Sequence, residues 1–162
     1  MSVLLSSQNR LDSWVAFLRA HSAITRQMNA DLLSAHGLTL NDYEVLLHLN
    51  RADGMMMRRI DLAKSVVLTA SGITRLLDGL ERAGFVEKAS CPEDARVSYA
   101  KLTEAGREKL RVAAPTHLEG VEDLFTSRFS EAELVMLAEL LVRLPLSGGE
   151  LSGKDCPNAR NL

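Results

Sequence analysis

Sulfur, proline and aromatic side chains are all scarce in this 162-residue chain. Its two cysteines, Cys91 and Cys156, form no C-x-x-C spacing and are too few for a disulfide framework. Four histidines, His21, His36, His48 and His117, stand singly. None pairs with another at i, i+4 to ligate a metal, so neither a structural zinc nor any other cofactor is expected. Only four prolines interrupt the chain, and strand-like runs are scarce outside 85–102, which points to a mainly α protein. There is no run of 18 apolar residues, so a membrane helix is not expected. The opening MSVLLSSQNR has neither the basic leader nor the long apolar run of a signal peptide, making the cytoplasm the expected location. No nucleophile–base pair and no glycine-rich phosphate loop stand out, so an enzyme is not expected either.

What remains is a chain with 46% hydrophobic residues, enough for an ordered core, and a length that suits one well-packed domain. The net charge is −2, but it is unevenly spread. Residues 55–111 hold 11 Lys and Arg against 8 Asp and Glu, a balance of +3, while the rest holds 8 against 13, or −5. The basic excess therefore lies in one central segment. Ahead of it, Leu11, Trp14, Leu18, His21, Thr25, Met28 and Leu32 recur at alternating steps of three and four, a heptad-like seam on a helix over 10–35. Gly37 ends that helix, and Thr39 caps the next, with Asp42 favouring its N-terminus and Leu38 and Tyr43 set as a staple.

The most informative stretch is 68–106. Met55–Met57 reads as a small strand and 59–66 as a short helix with Leu62 and Ala63 inward. Val67 and Leu68 make a turn, and Thr69 caps a helix over 70–83 whose buried face is Ile73, Leu76, Leu77 and Leu80. Its other face presents Ala70, Ser71, Thr74 and Arg75. Small hydroxyls leave room for close approach to a base-pair floor, and an arginine reaches a guanine edge or a phosphate. Gly84 then stops the helix, and two strands flank a charged turn containing Asp94 and Arg96. Leu102-Thr103 opens a long helix to about Phe125, in which Gly106 allows a close neighbour and Pro115 predicts a kink or local break. Ser130 and Glu133 form a capping box for a last helix carrying Leu134, Leu137, Leu141 and Leu144. Helix, hairpin with a basic tip, helix is the layout of a winged helix-turn-helix, whose two probes suit the grooves of duplex DNA.

The residues Leu62-Ala63, Ser71, Thr74, Arg75, Leu80-Glu81, Gly84, Val86, Asp94-x-Arg96 and Leu102-Thr103-x-x-Gly106 stand at the spacing of the MarR family of bacterial transcription regulators, which this stretch resembles. The flanking helices fit the same family in order and length over roughly 10–145. The resemblance implies a homodimer whose recognition helices enter successive major grooves of a pseudo-palindromic operator, about 34–36 Å apart. It also implies that Arg96 enters the minor groove while Asp94 holds its guanidinium. Most members are repressors, released by a small, commonly aromatic or phenolic, ligand.

The expected organisation is a dimerisation helix over 1–37, a winged helix-turn-helix over 38–102, dimerisation helices over 103–145 and a flexible tail over 146–162. The expected DNA contacts are Arg58, Arg59, Thr69, Ser71, Thr74, Arg75, Asp94 and Arg96, with Trp14 and His21 as candidates for an effector pocket. Arg58-Arg59 departs from the family pattern, which often has a Ser or Thr cap there; the substitution loses a cap and adds cations beside the expected DNA backbone. The family's peroxide-sensing branch has a cysteine early in the first helix, and this chain has none there. A winged helix that docks proteins rather than DNA is the alternative, distinguished by weak dependence of its binding on salt.

Overall fold

The computed structural model describes residues 7–66, 68–90 and 97–144. Val67, Cys91, Asp94, Arg96, Cys156 and the tail from 146 lie outside the described residues. Six helices and three strands follow in order: α1 (Ser7–His36), α2 (Leu40–Arg51), β1 (Met56–Arg58), α3 (Arg59–Ser65), α4 (Ala70–Arg82), β2 (Val86–Ser90), β3 (Ser98–Leu102), α5 (Glu104–Leu124) and α6 (Glu131–Leu141). One-turn 3-10 segments at Asp53–Met55 and Thr126–Arg128 join α2 to β1 and α5 to α6.

Local chemistry sets most of these boundaries. Thr39 accepts from the Asp42 amide at 3.1 Å while the Asp42 carboxylate accepts from the Thr39 amide at 2.8 Å, closing a full capping box on α2. Ser130 and Glu133 repeat that arrangement on α6. Gly37 and Gly84 take φ of +66° and +76° where α1 and α4 stop, a region L side chains rarely occupy. Pro115, by contrast, does not break α5. The helix runs on through it for its full 21 residues, so the missing amide costs one intrahelical bond and the expected local break does not occur.

The sheet is antiparallel with β3 in the middle: Met57 pairs with Ala100 on one side, and Val86 pairs with Leu102 on the other. Side-chain alternation turns Ala100, Leu102 and Val86 onto the main core. There they join Leu32 of α1, Val45, Leu46 and Leu49 of α2, Leu62 of α3, and Ile73, Leu77 and Leu80 of α4. The other face buries Met56 against Tyr99 as a small second cluster. Gly79, inside α4, has nothing within 4 Å of the place its Cβ would occupy. Gly79→Ala is therefore expected to stabilise the free protein by about 0.5–1 kcal/mol through helix propensity. A thermal melt checks this; a lower melting temperature would mean the site is crowded.

The two ends of the wing close on each other. The Thr103 hydroxyl donates to the Gly84 carbonyl at 2.7 Å and accepts from the Gly106 amide at 3.0 Å, while the Thr103 amide donates to the Phe85 carbonyl at 3.1 Å. One threonine thus caps α5 and ties it to the end of α4, 19 residues earlier.

Candidate nucleic-acid interface

The outward stripe of α4 begins at its cap. Thr69 is extended and accepts from the Gly72 amide at 3.1 Å, with the Ser71 hydroxyl 3.2 Å from its own. Thr74 donates its hydroxyl proton to the Ala70 carbonyl at 2.9 Å, which leaves the oxygen lone pairs facing outward as acceptors. Thr69, Ala70, Ser71, Thr74 and Arg75 are all exposed, because Ile73, Leu77 and Leu80 take the opposite face into the core. Arg75 has no ion-pair or hydrogen-bond partner among the described residues, so its donors point to solvent. A first turn without acidic residues keeps the positive end of the helix dipole uncompensated. Together these groups form an exposed donor-and-acceptor surface with one cation, which matches the edges and phosphates of a nucleic acid.

The hairpin stands beside this helix. Lys88 of β2 reaches Glu81 of α4 at 3.3 Å, and the directly opposed Glu87 and Lys101 approach to 3.6 Å across the strands. The tip carrying Asp94 and Arg96 lies outside the described residues; what the strands show is an antiparallel base tied to α4 through Lys88 and Glu81.

Arg58 and Arg59 are turned toward their own chain. The Arg58 Nε donates to the Asp61 carboxylate at 2.5 Å, and the two side chains are only 23% and 12% exposed. As the N-cap of α3, Arg58 supplies no side-chain cap; Asp61, in the first turn, supplies the negative charge that the helix end favours. Arg59 is 18% exposed, with one guanidinium nitrogen buried, lacking any hydrogen-bond acceptor and lying 3.9 Å from Asp78 of α4. Arg58 is thus held by Asp61 through one nitrogen, and Arg59 turns one buried nitrogen toward Asp78. The Arg58–Asp61 pair was legible as an i, i+3 spacing, whereas Asp78 had no sequence signal linking it to Arg59 because the two sit on different helices.

Trp14 and His21 lie on the exposed half of α1, linked through Phe17, whose ring is 6.3 Å from Trp14 and 6.4 Å from His21. Trp14 is 57% exposed in the single chain. A different aromatic contact joins α2 to α5: Tyr43 stacks on His117 with ring centroids 4.3 Å apart. Nearby, His36 at the end of α1 bonds the Thr116 hydroxyl at 2.8 Å. Burial holds the His117 ring below its ordinary pKa and raises that of the Tyr43 phenol, an effect the Arg51 charge partly opposes. The sequence had offered only a staple role for Tyr43.

A sequence profile described as the MarR family matches residues 36–97. The chain is 30% identical over 127 residues to the HTH-type transcriptional repressor YetL of Bacillus subtilis (strain 168), covering 75% of this chain and 76% of that one. It is similar in structure to AbsC, a MarR family transcriptional regulator from Streptomyces coelicolor: 31% identity, TM-score 0.77, and 86% and 93% of the two chains covered. Sco3205, a MarR family transcriptional regulator from the same organism solved in complex with DNA, aligns with TM-score 0.80 at 27% identity, covering 86% of this chain and 90% of its own.

Proposed function

The chain belongs to the MarR family of transcriptional regulators, and from that premise we propose that it binds a pseudo-palindromic DNA operator as a homodimer and regulates transcription there. The observation that carries this is the outward side of α4 and its cap, where Thr69, Ser71, Thr74 and an Arg75 without a partner among the described residues are exposed, opposite the buried Ile73, Leu77 and Leu80. Each protomer lays α4 in a major groove, and its wing tip, with Arg96 steadied by Asp94, enters the flanking minor groove. A narrow minor groove has enhanced negative potential, which a planar guanidinium fits. Repression in the cytoplasm, relieved by a small aromatic ligand near Trp14 and His21, completes the proposal. A ligand on that arm lowers operator affinity by favouring a spacing of the two reading heads that fits DNA poorly.

The test is binding to a duplex selected from a random pool, followed by fluorescence anisotropy at several salt concentrations. Affinity is expected to fall steeply as salt rises, because phosphate neutralisation releases counterions. Arg75→Ala is expected to lose about 1–3 kcal/mol of discrimination between selected and scrambled duplexes. Arg96→Ala is expected to weaken binding with the melting temperature unchanged. Equal discrimination by the Arg75 variant, or no duplex binding in dilute buffer, overturns the assignment.

A further inference from the structure

Asp78 sits awkwardly for a DNA-reading helix. It follows Arg75 by three residues and precedes Arg82 by four, so it shares a helix face with both. Its side chain is 49% exposed. A carboxylate there repels phosphate and offers Arg75 an intrahelical partner, either of which draws the arginine away from a base edge. Yet in the structure Arg75 is not paired with Asp78. Arg82 meets only the Asp78 backbone, donating its Nε to the carbonyl at 3.2 Å. The cation facing the carboxylate comes from another helix: the Arg59 guanidinium, 3.9 Å from Asp78 Oδ1, with that same nitrogen buried and lacking any acceptor. A buried guanidinium nitrogen without a hydrogen bond is costly. Among the described residues Asp78 is the one carboxylate within 4 Å of this guanidinium, so the pair spans the contact between α3 and α4.

We infer that Arg59 is a positioning residue for DNA recognition: it holds Asp78 toward α3 and so leaves Arg75 unpaired to face the DNA. The inference rests on the DNA-binding reading above. It assigns Arg59 a role without contact to phosphate, which its inward pose favours over the phosphate contact expected from its sequence position.

The experiment is a set of neutral replacements in the full-length chain, with Arg59→Gln chosen because it retains most of the side chain's apolar stem. Operator affinity is read by anisotropy, and folding by thermal melt. Arg59→Gln is expected to weaken operator binding about tenfold, the scale of one lost arginine–base contact. Asp78→Asn alone is expected to leave binding at or slightly above that of the unsubstituted chain. The double variant Arg59→Gln/Asp78→Asn is expected to recover the affinity of Asp78→Asn. In an Arg75→Ala background, Arg59→Gln is expected to cost nothing more, since the group it protects is gone. Arg59→Lys, which keeps the charge, is expected to retain most of the affinity. A double variant that stays tenfold weaker than Asp78→Asn would mean a direct phosphate contact and overturn the inference. So would unchanged binding in Arg59→Gln. Loss of binding by the unsubstituted chain would instead strike the DNA-binding reading itself. Should Arg59→Gln melt below assay temperature, Arg59→Met, whose apolar chain fills the same buried space, takes its place in the same comparison: a loss that Asp78→Asn does not relieve, or no loss at all, overturns the inference.

Discussion

Replacing Gly106 by alanine is expected to destabilise the fold by about 3 kcal/mol, the upper range for an overpacked site. A Cβ at Gly106 would land on the Phe85 carbonyl oxygen, and 2.8 Å from a Leu102 methyl. The methyl group can rotate away, but the carbonyl cannot. Phe85 O already accepts from the Thr103 amide, and the next carbonyl back, that of Gly84, accepts from the Thr103 hydroxyl. Moving Phe85 to admit one carbon therefore loosens the α5 cap, the end of α4 and the first strand of the wing together. Urea denaturation measures the effect as a lower midpoint at unchanged slope. Gly120→Ala is the control: its Cβ would sit 3.5 Å from Met28 Cγ, an ordinary contact, and stability is expected to hold or rise slightly. Equal midpoints for the two variants would mean that Phe85 yields easily.

The same junction shows how far the sequence could be read. Gly84, Thr103 and Gly106 belonged to a recognisable pattern, and Gly106 was legible as a point of close approach. That its neighbour is a backbone carbonyl 21 residues earlier was not, because nothing in a one-dimensional pattern states which segments meet. Caps were legible for the opposite reason. Thr39 with Asp42 and Ser130 with Glu133 act within four residues, so spacing alone specifies the hydrogen bonds. The exposed face of α4 followed from periodicity, since fixing Ile73, Leu77 and Leu80 inward leaves Ser71, Thr74 and Arg75 outward. Arg58 and Arg59 were harder. Their sequence position favoured the DNA backbone, but Asp61 meets Arg58 and Asp78 faces Arg59, and the second acid comes into range only when α3 packs on α4. Pro115 differs again: tertiary packing of α5 against α1 outweighs the propensity that predicted a break.

On the homodimer proposed above, changing Leu18 and Met136 together to glutamate is expected to convert the protein from two chains to one and to weaken operator binding about 10²–10⁴-fold. The described chain leaves a large apolar surface uncovered at its two ends. Leu11, Trp14, Val15, Phe17 and Leu18 on α1 are 39–63% exposed, and Val135, Met136, Leu140, Val142 and Leu144 on and after α6 are 46–66% exposed. Monomeric proteins rarely tolerate apolar patches of this extent. Covering the exposed half of each side chain is worth roughly 1 kcal/mol. Two protomers that cover these faces on each other, as proposed, therefore gain more than the association cost of about 4–15 kcal/mol. A glutamate at the centre of either face brings an unpaired carboxylate into that seam, where desolvation costs several kcal/mol. Both positions are already at least 44% exposed in the single chain, so the protomer itself should still fold, and circular dichroism verifies this. Once separate, each reading head binds its half-site alone and loses the effective concentration supplied by its tethered twin, which is why affinity falls far more than any one DNA contact is worth. Sedimentation and anisotropy on the same sample test both halves of this expectation. A variant that remains dimeric would place the pairing surface elsewhere. One that becomes monomeric yet keeps full operator affinity would show that a single head suffices, and the two-headed account of recognition would not stand.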